Sequence, residues 1–160
     1  MNLNDITAST SLQQLLDRNE IEDLVYRLGV CLDEGRFDDM GALFVDEATA
    51  RTPGGRAEGR AALVAQAARN HRPDERIQHV ITNVLVGLEG DGATVRANLV
   101  VHFATPAEGQ KPVLAQPIQF VLGEVYRFDV VRTPQGWRFS GVETTPLWMS
   151  GTLDRTPQPN

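Results

Sequence analysis

Cysteine occurs once in this chain of 160 residues, at position 31. One thiol cannot build an intramolecular disulfide framework or a cysteine-based metal cluster. Cys31 falls in the apolar pattern of the first helical segment and reads as a small buried hydrophobe. Histidine is almost as scarce: His71, His79 and His102 show no ligand spacing. Neither a metal nor any other cofactor is expected. No apolar run is long enough to span a bilayer, so no membrane partner is expected. The first residues, MNLNDITASTS, lack the basic start and apolar core of a secretion signal. A cytoplasmic protein is the expectation. Cations are also in short supply, with 15 Lys and Arg against 21 Asp and Glu and a net charge of −6. They are mostly scattered arginines, whereas phosphate backbones need clustered ones, so no nucleic-acid partner is expected. Gly54-Gly55 lacks the Lys-Ser/Thr of a phosphate loop. No serine motif points to an acyl nucleophile.

What is present suits one globular domain over residues 1–160, with 41% hydrophobic and 22% charged residues. The core should run from about residue 12 to 149, with flexible ends at 1–9 and 150–160. Thr10 and Ser11, each followed three residues later by Gln, offer a helix-capping box. Leu12, Leu15, Leu16, Leu24, Val25, Leu28, Cys31 and Leu32 then recur with a helical period. Asn19-Glu20 marks a break between a short helix and a longer one, and Gly35 a stop. Phe37, Met40, Leu43 and Phe44 form one face of a second, short helix. Thr52–Gly55 reads as a loop, and the Ala-rich stretch Arg60–Asn70 as a third helix ending before Pro73.

Beyond Pro73 the pattern changes to strands. They are expected at 78–88, 93–105, 118–132 and 137–143. Turns at Glu89–Gly92 and Thr133–Gly136 and a loop at Pro106–Pro117 separate them. Helices followed by strands predict an α+β fold. A curved antiparallel sheet wrapped around three N-terminal helices makes a cone-shaped barrel with an interior pocket, the default place for a ligand.

The order of IEDLVYRLGVCLDEGRFDDM (21–40), EGRAAL (58–63), QHVITN (78–83) and GWRFSGV (136–142) resembles the SnoaL-like branch of the nuclear transport factor 2-like superfamily. Scytalone dehydratase, polyketide cyclases and ketosteroid isomerase are relatives. The resemblance covers roughly residues 12–149. It implies that Asp33, after the first helix, and His79, opening a strand, form a catalytic pair. A carboxylate beside an imidazole fixes its tautomer and raises its basicity. Some members carry a Tyr or Lys one helical turn before that Asp. This chain has Leu28 there, and Tyr26 faces elsewhere on the helix. The resemblance also implies a homodimer, which would cover the outward Val121, Val125 and Val131.

Further candidates come from the strand pattern itself. In IQFVLGEVYRFDVV, Glu124 is the one formally charged residue on a face otherwise carrying Ile118, Phe120, Leu122, Tyr126, Phe128 and Val130. It either points into the cavity, where burial suits it to donate a proton, or pairs with a basic residue in a salt bridge, or is turned outward by a bulge at Gly123. Tyr126 on that face offers a hydroxyl to a substrate oxygen. Asn98 and His102 share a face of the preceding strand and either line the cavity or lie outside it, in a subunit contact. Trp137 and Phe139 read as core, Trp148 and Met149 as closing the cavity mouth, and His71 as a loop residue.

The function expected is a cofactor-independent lyase, cyclase or isomerase, of dehydratase or cyclase type. It would act in secondary metabolism on a small, largely apolar, oxygenated molecule such as a polyketide- or terpenoid-like metabolite. A non-catalytic binding or dimeric assembly domain is the alternative. Epoxide opening by a carboxylate-activated water is a third reading, served only by Asp33 and Glu124.

Overall fold

The computed structural model describes residues 3–72, 75–104 and 117–152. The elements are α1 (Leu3–Glu34), α2 (Phe37–Gly41), β1 (Phe44–Thr52), β2 (Gly55–Glu58) and α3 (Arg60–Asn70), followed by β3 (Arg76–Glu89), β4 (Gly92–Ala104), β5 (Ile118–Thr133) and β6 (Gly136–Gly151). The six strands form one open sheet in the order β2-β1-β6-β5-β4-β3. The α+β architecture agrees with the sequence reading.

Several details differ from it. The sheet is mixed, because β1 runs parallel to β6 while every other pair is antiparallel. Phe44 begins β1 instead of extending α2, and Thr52 and Gly55 belong to a β-hairpin. Residues 44–52 hide this strand because its buried positions are Phe44, Ala48 and Ala50, with acidic and polar residues between them. The helix of the N-terminal segment begins at Leu3, so residues 3–9 are helical and Thr10 and Ser11 lie inside α1 instead of capping it. Asn19-Glu20 does not break it. β6 extends to Gly151, well beyond residue 143. The loop expected at 106–117 and the tail from 153 lie almost wholly outside the described residues.

α1 buries Ile21, Leu24, Val25, Leu28 and Cys31, a stripe at helical spacing, against the sheet. The polar stretch that reads as a break is where the helix crosses the β5–β6 turn. Both oxygens of Asp17 accept from the Arg132 guanidinium, at 3.0 and 2.7 Å, and the Trp137 indole donates to the same carboxylate at 3.2 Å. Glu20 accepts the Trp137 backbone N–H at 3.1 Å. Arg132 also lies 4.3 Å from the centre of the Trp137 ring. The Trp137 and Phe139 positions are core, as expected.

Bulges shape the sheet. β6 carries an extra residue opposite Gly123/Glu124 and another opposite Asp129/Val130, which bends the strand. Pro146 sits at the first of these, where a missing N–H is tolerated. In β3 the register shifts between Thr82 and Leu85, with Asn83 in the left-handed region at φ 52°. This shift lets Ile77 and Ile81 before it, and Val84, Val86 and Leu88 after it, all pack against the core.

The Arg132 hydrogen bonds, helped by Gln13 and Trp137, outweigh burial and hold the Asp17 carboxyl down at about 2, from an ordinary 3.8. A depressed carboxylate stabilises the fold above its unfolded value and loses that contribution as pH falls through the folded value. Asp17→Asn should therefore cost about 2 kcal/mol near neutral pH. The difference from the wild type should shrink as pH falls towards about 2, as denaturant titrations at both pH values would show.

Candidate active site

The C-terminal end of α1 meets the edge strand β3. An edge strand presents backbone N–H groups that no neighbouring strand accepts. Here the His79 N–H donates to Asp33 Oδ1 at 2.8 Å, and the same oxygen lies 2.6 Å from His79 Nδ1. An acceptor-only carboxylate calls for the Nδ1–H tautomer, which leaves Nε2 as the basic nitrogen. A carboxylate at a helix C-terminus opposes the helix dipole, and these two donors offset that cost. Gly29 faces the strand closely, since a Cβ there would lie 3.1 Å from Ile81 Cδ1.

His79 opens onto a cavity of about 560 Å³ between the helices and the concave face of the sheet. Most of its wall is apolar, with Leu28, Leu32, Phe37 and Met40 from the helices and Phe44, Leu99, Val101, Phe103, Phe120 and Leu122 from the strands. Its polar groups are Thr52, Gln66, His71, His79, Glu124, Tyr126 and Thr144. Such a wall, apolar with a few placed polar groups, is typical of a small-molecule site.

Glu124 and Tyr126 face this cavity. The bulge falls on β6, opposite Glu124, so the carboxylate is not turned outward. Glu124 is 6% exposed, and its Oε1 is buried without a hydrogen-bond partner among the described residues. Burial pushes its carboxyl above the ordinary carboxylate range, against the downward pull of the neighbouring Thr144 hydroxyl and of His79. Burial likewise raises the Tyr126 phenol, helped by the negative charge of Glu124 and Asp33. Asp33, His79, Glu124 and Tyr126 thus belong to one electrostatic cluster.

Three expected residues lie elsewhere. On β4 the inward positions go to Ala97, Leu99, Val101 and Phe103, so the pleat directs Asn98 and His102 to the opposite face of the sheet. Neither lines the cavity. Trp148 pairs with Gly123, and a Cβ on Gly123 would come within 2.1 Å of its indole. The ring therefore lies over β5 on the outward face, and Pro146 and Met149 line the cavity in its place. His71 follows α3 as expected, but it also lines the cavity, with its ring edge-on to Phe37 at 5.5 Å. Gln66, Thr52 and Thr144 are lining residues that sequence reasoning missed. Gln66 was within reach, because it stands three residues after the buried Leu63 on the same face of α3. Among the described residues, no three His, Cys, Asp or Glu side chains are grouped to hold a metal ion.

Residues 13–143 match the SnoaL-like domain family, and the chain belongs to that family. An uncharacterized protein of Mycobacterium tuberculosis is 32% identical over 133 residues, which cover 80% of this chain and 84% of that one. Among solved structures, an NTF2-like protein with a cystatin-like fold from Novosphingobium aromaticivorans is 30% identical. It covers 91% of this chain and 90% of its own, with a TM-score of 0.72. A scytalone dehydratase-like protein of the same species is 19% identical with a TM-score of 0.74, over 93% of this chain and 96% of its own. A hexachlorocyclohexane dehydrochlorinase is 18% identical with a TM-score of 0.72, over 93% of this chain and 97% of its own. At those last identities the likeness is one of fold. The chain has the NTF2-like fold, the open cone that its sequence resembles.

A buried carboxyl with a raised pKa stabilises the fold at low pH and loses that contribution as pH rises through its folded value. Glu124→Gln keeps the shape and removes the charge. It should stabilise the protein by about 1–2 kcal/mol above the folded pKa and have little effect in acid, measured by thermal melts across the pH range.

Proposed function

We propose that the protein is a cofactor-independent lyase or isomerase acting on a small, largely apolar carbonyl compound. The observation that carries this reading is the Asp33–His79 contact at the wall of an apolar cavity that also holds the buried Glu124. Asp33 fixes the ring, and Nε2 removes a proton from the carbon next to the carbonyl. The resulting enolate oxygen needs a donor. Glu124, whose carboxyl burial biases towards its protonated form, and the Tyr126 phenol are in the same wall to provide it.

Two outcomes follow from one enolate. If a β-hydroxyl is present, the enolate electrons expel it, and the Glu124 proton leaves with it as water. The proton on His79 then returns to solvent and Glu124 is reprotonated, so the net change is loss of one water. Without a leaving group, return of the proton to a different carbon gives an isomer. Proton removal by His79 is common to both, and only dehydration consumes the Glu124 proton, so the choice belongs to the substrate. The SnoaL-like family and the dehydratase-like and dehydrochlorinase folds among similar structures support this reaction class.

A screen of β-hydroxy ketones for water loss, with deuterium uptake from heavy water as a second readout, would test the reading. His79→Ala should lower kcat by about 10²–10⁴-fold while the circular-dichroism spectrum is retained. Asp33→Asn should lower kcat with less effect on KM, because it disturbs the ring tautomer and not the apolar wall. Full turnover in His79→Ala would remove the imidazole from the mechanism.

We also propose a homodimer formed through the outward face of β4–β6. Val100, Val121 and Val125 lie there around Gly123 in the strand register, under the half-exposed Trp148. An apolar sheet face of this kind is stabilised by a partner. Sedimentation equilibrium at micromolar concentration should give twice the chain mass, and Trp148→Glu should shift it towards monomer. A clean wild-type monomer would refute the dimer.

A further inference from the structure

Away from the dyad, α3 and the end of β1 place a second set of polar groups in the cavity wall. Gln66 is 5% exposed, and its Oε1 is buried with no hydrogen-bond partner among the described residues. Its Nε2 donates to Thr52 Oγ1 at 3.2 Å, and Thr52 Oγ1 also accepts the Gly54 N–H at 3.2 Å. The amide is thus tethered by its nitrogen, leaving the carbonyl oxygen over. A buried acceptor without a donor costs stability, and structural glutamines are normally satisfied. A ligand donor removes that cost.

The position of the pair matters. His79 is on β3 and Thr52 on β1, with β4, β5 and β6 between them in the sheet. The wall between the two ends is mostly apolar, with Phe44, Leu99 and Val101, and its polar groups are Glu124, Tyr126 and Thr144. Among the described lining residues there is no Lys or Arg, so nothing there compensates a phosphate or a carboxylate.

We propose that Gln66, held by Thr52, is a ligand-anchoring residue that accepts a hydrogen bond from a hydroxyl of an uncharged ligand. The hydroxyl lies at the end of the ligand remote from the group facing His79. The substrate class is then a neutral, mainly apolar molecule with an oxygen function at each end, a carbonyl towards the dyad and a hydroxyl towards α3. The anchoring role rests on reading the cavity as a ligand site, and only the carbonyl towards the dyad rests on the chemistry proposed for His79.

Three aromatic probes separate the cases by calorimetry: naphthalene, methoxynaphthalene, which only accepts a hydrogen bond, and naphthol, which can donate one. Naphthol should bind roughly tenfold tighter than the other two. That preference should vanish in Gln66→Leu and survive in His79→Ala, while naphthalene affinity stays within about twofold in both variants. Gln66→Leu should also melt no lower than the wild type, because it removes an unpaired buried acceptor. Equal binding of naphthol and methoxynaphthalene, a preference that persists in Gln66→Leu, or a lower melting temperature in that variant would overturn the anchoring role. Failure of all three probes to bind the wild type would instead overturn the ligand-site reading on which it rests.

Discussion

One carboxylate oxygen fastens the C-terminal end of α1 to the edge strand β3. Asp33 Oδ1 accepts both the backbone N–H and the ring Nδ1 of His79. The first bond satisfies an amide that no further strand covers, since β3 ends the sheet. The second fixes the ring. Because both donors come from one residue, backbone position and ring orientation are set together, and α1 becomes the wall that closes the cavity on that side. Leu28 and Leu32, in the last turns of the helix, line the cavity.

That wall determines the electrostatics inside. An apolar lining excludes competing water, so each polar group acts in a medium where charge is costly and fields are strong. Glu124 responds by favouring its neutral form, and Tyr126 by holding its proton more tightly. His79 and Asp33 are less enclosed, and the imidazole keeps its partner. A base supported by a carboxylate and an acid whose protonated form burial favours are the two halves of a proton relay. They arise on different strands, β3 and β5, separated by β4, whose contribution at this point is Leu99 and Val101.

The sequence made part of this legible. The period of β5 puts Glu124 and Tyr126 on its apolar face, and the family pattern pairs Asp33 with His79. The same period-two logic groups Asn98 with His102 but cannot say which face of β4 is the concave one; the apolar Ala97, Leu99 and Val101 on the other face were the signal. Trp148 was misplaced because a bulge at Leu147 flips the parity of β6, and bulges leave little trace in a sequence. β1 went unread because a strand whose inward residues are mainly alanines, interspersed with acidic residues, has no strand signature. Gln66 was missed for a different reason: a polar residue in an Ala-rich helix reads as solvent-facing until the packing of Leu63 shows the face.

Asp17 and Asp33 lie 16 positions apart on α1, about 24 Å along the helix, and each holds the sheet through a basic partner. Their environments separate them. Asp17 has both oxygens engaged by Arg132 and adds the Trp137 indole, so the pair is saturated, and nothing of it opens onto the cavity. Asp33 engages one nitrogen of an imidazole that has two, and the ring that carries the second stands in the cavity wall. A carboxylate at a helix–sheet contact stabilises the fold in either case. What fits the second to chemistry is the unfilled capacity of its partner, which only the tertiary arrangement reveals.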